Sequence, residues 1–511
     1  MTALFAIIYV VAALLLALYG ANSLLLTAVY WRVRQRQPAE PPLSRLPGVT
    51  VQLPIYNEVH VVERLIDAVA QLDYPPECLQ IQVLDDSSDE TTALARARVE
   101  FHRARGVNIA LLRRQGREGY KAGALAHGLR YATGELIALF DADFVPAPDF
   151  LRRTVPYFLA DPGLGFLQTR WGHLNADYSP LTRAQALALD GHFVVEQTAR
   201  QRSGWFMNFN GTAGLWRRAC IEESGGWSAD TLSEDLDLSY RAQVRGWRAA
   251  YLPQVVAPAE VPPQLAAFKR QQFRWAKGSI QCLRKLAGEV WRSSRSLAAR
   301  LEGLVHLSGY LAHPLMVLML LSTLPLLLSG ARLSWPLAYL SLASLGPPLL
   351  YAVGQRALYP NWWRRYSHLP LLVLLGSGIA LSNSVAIVEG LLGRENRFRR
   401  TPKFRLEGKN GQWQGQRYAL RLDWMVLGEL LLALYAALTI AVAWTRGHTW
   451  AIPFLCLYLG GFGLMAIVGL WQAIASAFPA RAARKATPLV QRPAGSPLAA
   501  SPSAVWPASR R

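Results

Sequence analysis

Residues 135–146 read Glu-Leu-Ile-Ala-Leu-Phe-Asp-Ala-Asp-Phe-Val-Pro, a short apolar run that breaks off on two aspartates. An apolar run of this length, bounded by polar and turn-forming residues, predicts a strand. Three earlier runs have the same character: Val49–Leu53, Leu79–Leu84 and Val107–Leu112, with stretches of helical pattern between them. Strands alternating with helices predict an α/β domain on a mostly parallel sheet, placed here over residues 49–260. Ligands of such sheets bind beyond the carboxyl ends of the strands. Asp141 and Asp143 stand at one such end, and Asp85 and Asp86, within Val-Leu-Asp-Asp-Ser-Ser-Asp, stand at another.

On both sides of this domain the composition changes. Thr2 to Trp31 contains no charged side chain, more than the roughly 20 apolar residues that span a bilayer. It lacks the basic start and the cleavage site of a secretory signal, so an uncleaved anchor over residues 1–31 is expected. Further apolar segments lie at about 304–329, 333–354, 369–391, 424–444 and 451–477. With 52% hydrophobic and 17% charged residues in 511, the chain is too apolar for an ordinary soluble enzyme. The expected plan is an anchor, a basic linker (32–48), the α/β domain, amphipathic interface helices (261–302), a helical membrane region (303–478) and a disordered tail (479–511).

The net charge of +20 has ordinary sources in basic cytosolic loops and attraction to anionic membrane lipids. An anionic substrate such as a nucleotide diphosphate sugar is the third. No nucleic-acid motif accompanies the charge, so nucleic acid is not an expected partner. Protein partners leave no mark in the sequence. Arg32, Arg34 and Arg36 after the anchor predict a cytosolic α/β domain. The loop 393–422 carries nine Lys or Arg against two Glu, and 355–368 carries three Arg beside Trp362 and Trp363. Both loops are cytosolic only if 369–391 does not cross. That segment holds Ser377, Ser382, Asn383, Ser384 and Glu389, and a carboxylate at the bilayer centre costs on the order of 2.5–3.5 kcal/mol. The expectation is therefore five crossings of a bacterial plasma membrane with 369–391 interfacial or re-entrant; six would leave one basic loop outside. Cys78, Cys220, Cys282 and Cys456 lie far apart without CxxC spacing, which fits a reduced compartment rather than a zinc site.

Sugar transfer from a nucleotide donor needs a neutralised diphosphate, a deprotonated acceptor hydroxyl and an aligned acceptor. Asp141 and Asp143, two apart at a strand end, suit a divalent cation, Mg²⁺ or Mn²⁺, bridging the phosphates; a solvated turn is the plain alternative. Asp85 and Asp86 can meet base, ribose or metal, while Ser87, Ser88 and Asp89 read as helix caps. Tyr56 and Glu58 follow the first strand, within reach of a nucleobase. Lys121 in Gly-Tyr-Lys-Ala-Gly opens a helix and suits phosphate, against the alternative of a surface lysine. Asp235 in Ser-Glu-Asp-Leu-Asp is the candidate base at a helix start that Ser233 can cap; the alternative is that the acidic cluster only complements the helix dipole. In Gln271-Gln-Phe-Arg274-Trp275 the arginine suits diphosphate oxygens and the tryptophan offers a flat face to a sugar ring, although a Trp–Arg pair is also common at membrane surfaces.

This motif set, in this order over residues 45–410, resembles the processive family-2 glycosyltransferases of the cellulose synthase superfamily, closest to the cellulose synthase-like branch that makes mannans, glucomannans or glucan backbones. The resemblance implies a Rossmann-like GT-A domain, cytosolic and inserted in a transmembrane helical domain. It implies nucleotide-sugar contacts at Tyr56, Glu58, Asp86, Lys121, Asp141, Gln271 and Arg274, metal at Asp141 and Asp143, a base at Asp235 and the growing polysaccharide's terminal sugar on Trp275. Relatives close a Phe-x-Val-Thr-x-Lys loop over the nucleotide. Phe398, Thr401 and Lys403 match it, Arg400 replaces its valine, and Ser233 stands where threonine is usual. No carboxyl-terminal regulatory domain of the bacterial cellulose synthase kind is visible, which argues against cellulose as product. The expected activity is inverting, processive elongation of a β-linked glycan (β-1,4) from GDP-mannose or UDP-glucose, with translocation. A single-transfer enzyme acting on a lipid carrier is one rival. A channel that senses nucleotide sugars is another, and it would tolerate loss of Asp235.

Overall fold

Seven strands form one mixed sheet: β1 Val49–Ile55, β2 Leu79–Asp85, β3 Ile109–Arg113, β4 Leu136–Leu139, β5 Leu164–His173, β6 Gly214–Arg217 and β7 Arg248–Ala259, in the order β3-β2-β1-β4-β6-β5-β7. The computed structural model describes residues 2–36, 40–43, 45–330, 340–394, 396, 398, 400–420 and 424–477. The tail expected to be disordered lies outside them. β1 runs parallel to β2 and β4, and β2 to β3, while β6 is antiparallel to β4 and β5. The first four strands fall on the four apolar runs of the sequence. In β1, β2 and β4 the side chains are buried on both faces, with Val49, Val51, Leu53, Ile81, Val83 and Ala138 shielded on one side and Leu84, Ile137 and Leu139 on the other, while β3 at the sheet edge buries only Ile109. Burial on two faces is why β1, β2 and β4 read as continuous hydrophobic runs. β6 reads Gly-Leu-Trp-Arg and β5 passes from Leu-Gly-Phe-Leu straight into Gln-Thr-Arg, so neither stands out as an apolar run.

The parallel half of the sheet brings the carboxyl ends of β2, β1 and β4 side by side. Helices Tyr120–Leu129, Glu234–Val244 and Leu265–Arg292 start or pass over that edge. The amphipathic stretch expected over 261–302 is broken once: one helix ends at Arg292, and a new one begins at Leu297. Ser296 is the reason, since its side chain accepts from Ala299 N at 3.2 Å as an N-cap.

Among the described residues, four helices are long and apolar enough to cross a membrane: Thr2–Val33, Leu297–Leu328, Met425–Thr445 and Thr449–Gln472. A bent pair, Trp362–Gly378 and Ala380–Leu391 at 43°, makes a fifth if it counts as one span. The described part of the segment 333–354 is a turn and a 13-residue helix, Gly346–Leu358. Glu389, the carboxylate that argues against a crossing at 369–391, is not alone: Lys277 Nζ lies 3.1 Å from it. Buried ion pairs also tie the domain to the apolar helices, Lys269 to Glu429 at 2.5 Å and Arg200 to Glu302 at 2.8 Å. Removing one partner of such a pair typically costs about 3–5 kcal/mol, because the other charge is left uncompensated.

Candidate active site

Strand ends, helix starts and one returning loop converge on a single cavity of about 690 Å³. β1 delivers Tyr56 and Glu58, β2 Asp86, and β4 Asp141 and Asp143. Lys121 comes from the second position of its helix, which Gly119 opens with a φ of +66°. Asp235 comes from the first turn of helix Glu234–Val244, and Gln271, Arg274 and Trp275 from helix Leu265–Arg292. Phe398, Arg400, Thr401 and Lys403 reach the same cavity from the loop after Leu391. Every site residue singled out from the sequence except Asp85 therefore lines one space.

Each carboxylate at the sheet edge meets a cation. Asp86 accepts from Arg114 through both oxygens, at 2.8 and 2.7 Å. Asp141 Oδ1 lies 2.6 Å from Lys121 Nζ, and Asp143 Oδ2 lies 2.7 Å from Lys403 Nζ. Glu58 Oε1 lies 3.1 Å from Arg400 Nε. Burial pushes Glu58 up to about 8 in spite of Arg400 and Lys403 nearby. For Lys121 and Lys403 burial disfavours the charge, but the carboxylates around them, Asp141 and Glu234 for the first and Asp143 and Glu260 for the second, together raise both. Asp85, beside Asp86 in sequence, faces away: it is buried and accepts from Ser87 N and Thr92 Oγ1 at 2.9 and 2.7 Å, holding the turn.

The sequence reading of local caps needs correction at two points. Ser233 precedes helix Glu234–Val244 but its side chain makes no cap. It lies instead where helix Leu265–Arg292 crosses, so close that a Cβ on Gly278 would fall 2.0 Å from Ser233 Oγ. Ser87 and Ser88 bond Asn57 rather than a helix end, and only Asp89 does the expected work, accepting from Thr91 N at 3.0 Å.

Asp235 sits against Gly211, where φ is +80° and a Cβ would come within 2.8 Å of Asp235 Oδ2. The same glycine's carbonyl accepts from Lys121 at 2.8 Å. Burial, and then the neighbouring Glu234 carboxylate, raise Asp235 well above the ordinary carboxylate range, with Lys121 pulling the other way. Burial lowers Arg274, whose guanidinium lies 4.7 Å from the Phe398 ring. Thr401 Oγ1 is buried and has no hydrogen-bond partner among the described residues.

Among the described residues no group of three His, Cys, Asp or Glu could hold a metal alone. Asp141 and Asp143 are nonetheless hard oxygen donors two residues apart on the cavity wall. Two carboxylates completed by substrate phosphate oxygens is how Mg²⁺-like ions are commonly held, so these residues fit a cation shared with a diphosphate.

Several residues at the site escaped the sequence reading. Arg114 and Arg117 lie in the basic run Arg-Arg-Gln-Gly-Arg just before Lys121, which was a usable signal. Glu260, which accepts from Arg64 Nη2 at 2.6 Å and Phe404 N at 3.2 Å and so fastens the returning loop, gave none. Beyond Asp235 the wall is polar: Glu196 Oε2 lies 3.0 Å from both His192 Nδ1 and Arg200 Nη1, at a π-helical turn His192–Gln197. The cavity then continues to Tyr19, Tyr310, His313, Tyr351 and Gly376 on the apolar helices.

Comparison with known proteins bears on this geometry. Residues 47–278 match the family described as Glycosyltransferase like family 2. Glucomannan 4-beta-mannosyltransferase 2 of Arabidopsis thaliana is 43% identical over 257 residues, 49% of this chain and 48% of the relative. Glucomannan 4-beta-mannosyltransferase 1 of Oryza sativa subsp. japonica is 42% identical over 256 residues, 49% of each. The chain thus spans about half the length of the curated relatives it matches. A mannosyltransferase from Pyrobaculum calidifontis, solved in complex with GDP-Man and Mn²⁺, superimposes with a TM-score of 0.52 at 25% identity, over 76% of this chain and all of that one. The mixed sheet is accordingly of the GT-A kind, flanked by apolar helices at both ends. These curated relatives come from plants and give no support to a bacterial membrane.

Proposed function

We propose, from the premise that residues 47–278 are a glycosyltransferase family 2 domain, that this protein is an inverting hexosyltransferase that extends a β-linked glycan from a nucleotide sugar at its membrane. The observation that carries the reading is the single cavity that joins the carboxylate–cation row, Asp235 and Trp275 to the apolar helices. GDP-mannose is the donor best supported, because the matched relatives are named for β-mannosyl transfer in glucomannan and the solved neighbour holds GDP-Man; UDP-glucose is the other donor in play. The linkage proposed is β-1,4, and elongation is processive, with the product leaving through the membrane end of the cavity.

Lys121, Lys403, Arg274 and Gln271 bind the diphosphate, and Tyr56, Glu58, Asp86 and Thr401 hold the nucleoside under the closed loop. A divalent cation, Mg²⁺ or Mn²⁺, held by Asp141 and Asp143, neutralises charge on the leaving diphosphate when bound. Trp275 supports the apolar face of the acceptor's terminal sugar. Asp235 takes the proton of the acceptor hydroxyl, whose oxygen attacks the anomeric carbon on the face opposite the diphosphate. One in-line displacement turns an α-linked donor into a β-linked product without a sugar–enzyme intermediate. A carboxylate raised toward neutrality is a stronger base than an ordinary one yet still substantially ionised at neutral pH, which suits this proton transfer.

The test is incorporation of radiolabelled sugar into insoluble polymer by membranes holding the full chain, comparing GDP-mannose with UDP-glucose, for wild type and Asp235→Asn. Polymer from one donor, lost in the variant, is the expected result. Label confined to extractable lipid would replace elongation by single transfer to a carrier, and incorporation surviving Asp235→Asn would remove Asp235 as the base.

A further inference from the structure

We infer that Arg117 reads the donor's base and selects guanine over uracil. The inference rests on the cavity being a nucleotide-sugar site, as proposed above, and adds the side chain that selects the base. Four cations at the donor end lie on carboxylates: Arg114 on Asp86, Lys121 on Asp141, Arg400 on Glu58 and Lys403 on Asp143. Arg117 lines the same cavity and differs from them. Among the described residues its guanidinium forms no ion pair, and its Nε is buried without an acceptor. Stacking holds it: the guanidinium carbon lies 3.3 Å from the centroid of the Tyr56 ring and 5.0 Å from that of Tyr120. A guanidinium stacked on a ring keeps its in-plane N–H groups available to a ligand.

Position along the sheet says which part of the donor meets it. With the diphosphate at Asp141 and Lys121 beyond β4, the strand order carries a bound nucleotide over β1 to β2 and β3. Two strand spacings are roughly 10 Å, the span of a nucleoside, and reach Asp86 at the end of β2; Arg117, which follows β3, is brought back over that span by its stacking on Tyr56 after β1. Guanine presents O6 and N7 side by side, two acceptors that match the parallel N–H pair of a guanidinium. Uracil presents O4 beside an N3–H donor, so it satisfies one N–H and opposes the other with a hydrogen. Asp86 does not discriminate. Its oxygens already hold Arg114, and their remaining lone pairs accept from the imide N–H of either base.

The experiment is calorimetric titration of the full-length protein in detergent micelles with Mn²⁺, using GDP, UDP and 7-deaza-GDP, for wild type, Arg117→Ala and Arg117→Lys. 7-Deaza-GDP removes the N7 acceptor alone. Wild type is expected to bind GDP roughly 10-fold or more tighter than either other nucleotide. Arg117→Ala is expected to bring GDP down to their level while UDP changes by no more than about twofold. Arg117→Lys keeps the charge but not the fork, and GDP should fall nearly as far. Equal losses for GDP and UDP, or a 7-deaza penalty that persists in Arg117→Ala, would overturn the inference. Synthesis of polymer from GDP-mannose by wild type, with the GDP:UDP ratio unmoved in Arg117→Ala, sinks the inference alone. Absence of transfer from any nucleotide sugar sinks the parent reading, and the nucleotide titrations still judge Arg117.

Discussion

The two ends of the cavity are built from different chemistry. At the sheet edge Glu58, Asp86, Asp141 and Asp143 each meet a lysine or arginine, so that end is a row of ion pairs. At the apolar helices the lining is Tyr19, Tyr310, Tyr351, Leu372 and Gly376, hydroxylated or uncharged throughout. Ion pairs suit a ligand that arrives with a diphosphate and departs with it, since the cations can pass from carboxylate to phosphate. A neutral aromatic wall suits a glycan that must slide: it offers ring faces and single hydroxyl contacts, none strong enough to hold the chain in place. Asp235 and Trp275 lie between the two ends.

Four variants test that division, in order of decreasing effect. Asp235→Asn should lower transfer by about 10²–10⁴-fold, the usual worth of a positioned base, with nucleotide binding little changed; calorimetry beside the polymer assay separates the two. Lys403→Ala removes a charge-assisted contact to the diphosphate and should raise KM for the donor roughly 10-fold to 100-fold. It should leave product length at saturating donor unaltered, and a shortened product would blur the division. At the other end, Tyr351→Ala should shorten the polymer, read by size-exclusion chromatography, with KM for the donor within about twofold of wild type.

The smallest effect is on pH. A base must be ionised, so its rate is lost as pH falls through its raised pKa. Glu234 is one of the groups raising Asp235, so Glu234→Gln should move the acid limb of the kcat profile to lower pH. A shift to higher pH would mean that Glu234 acts mainly through Lys121, 3.8 Å away.

Much of the fold was legible because it depends on local pattern. The strands β1, β2 and β4 are buried on both faces and read as apolar runs, and the first helix and the last two read as long apolar stretches, Glu429 being the one carboxylate in them. β5 was hidden because its apolar start runs straight into Gln168-Thr169-Arg170, and β6 because Gly-Leu-Trp-Arg holds no continuous apolar run. The break at Ser293–Ser296 was hidden because helical pattern continues on both sides of a four-residue interruption. At the site, residue types at strand ends pointed to Asp86, Asp141, Lys121 and Asp235. The pairings made by the returning loop were not readable, because they join distant parts of the chain: Lys403 is 260 positions from Asp143.

The sequence by itself determined an α/β domain between apolar helices and the set of carboxylate and basic motifs it carries, since each is a property of a short stretch. Only the tertiary structure decided which of two adjacent aspartates faces the cavity, which cation meets which carboxylate, that Glu389 has Lys277 beside it, and that Arg117 is held by stacking rather than by charge. Those outcomes depend on distances between segments far apart in the chain, and such distances exist only once the sheet has set its strand order and the helices have packed against it.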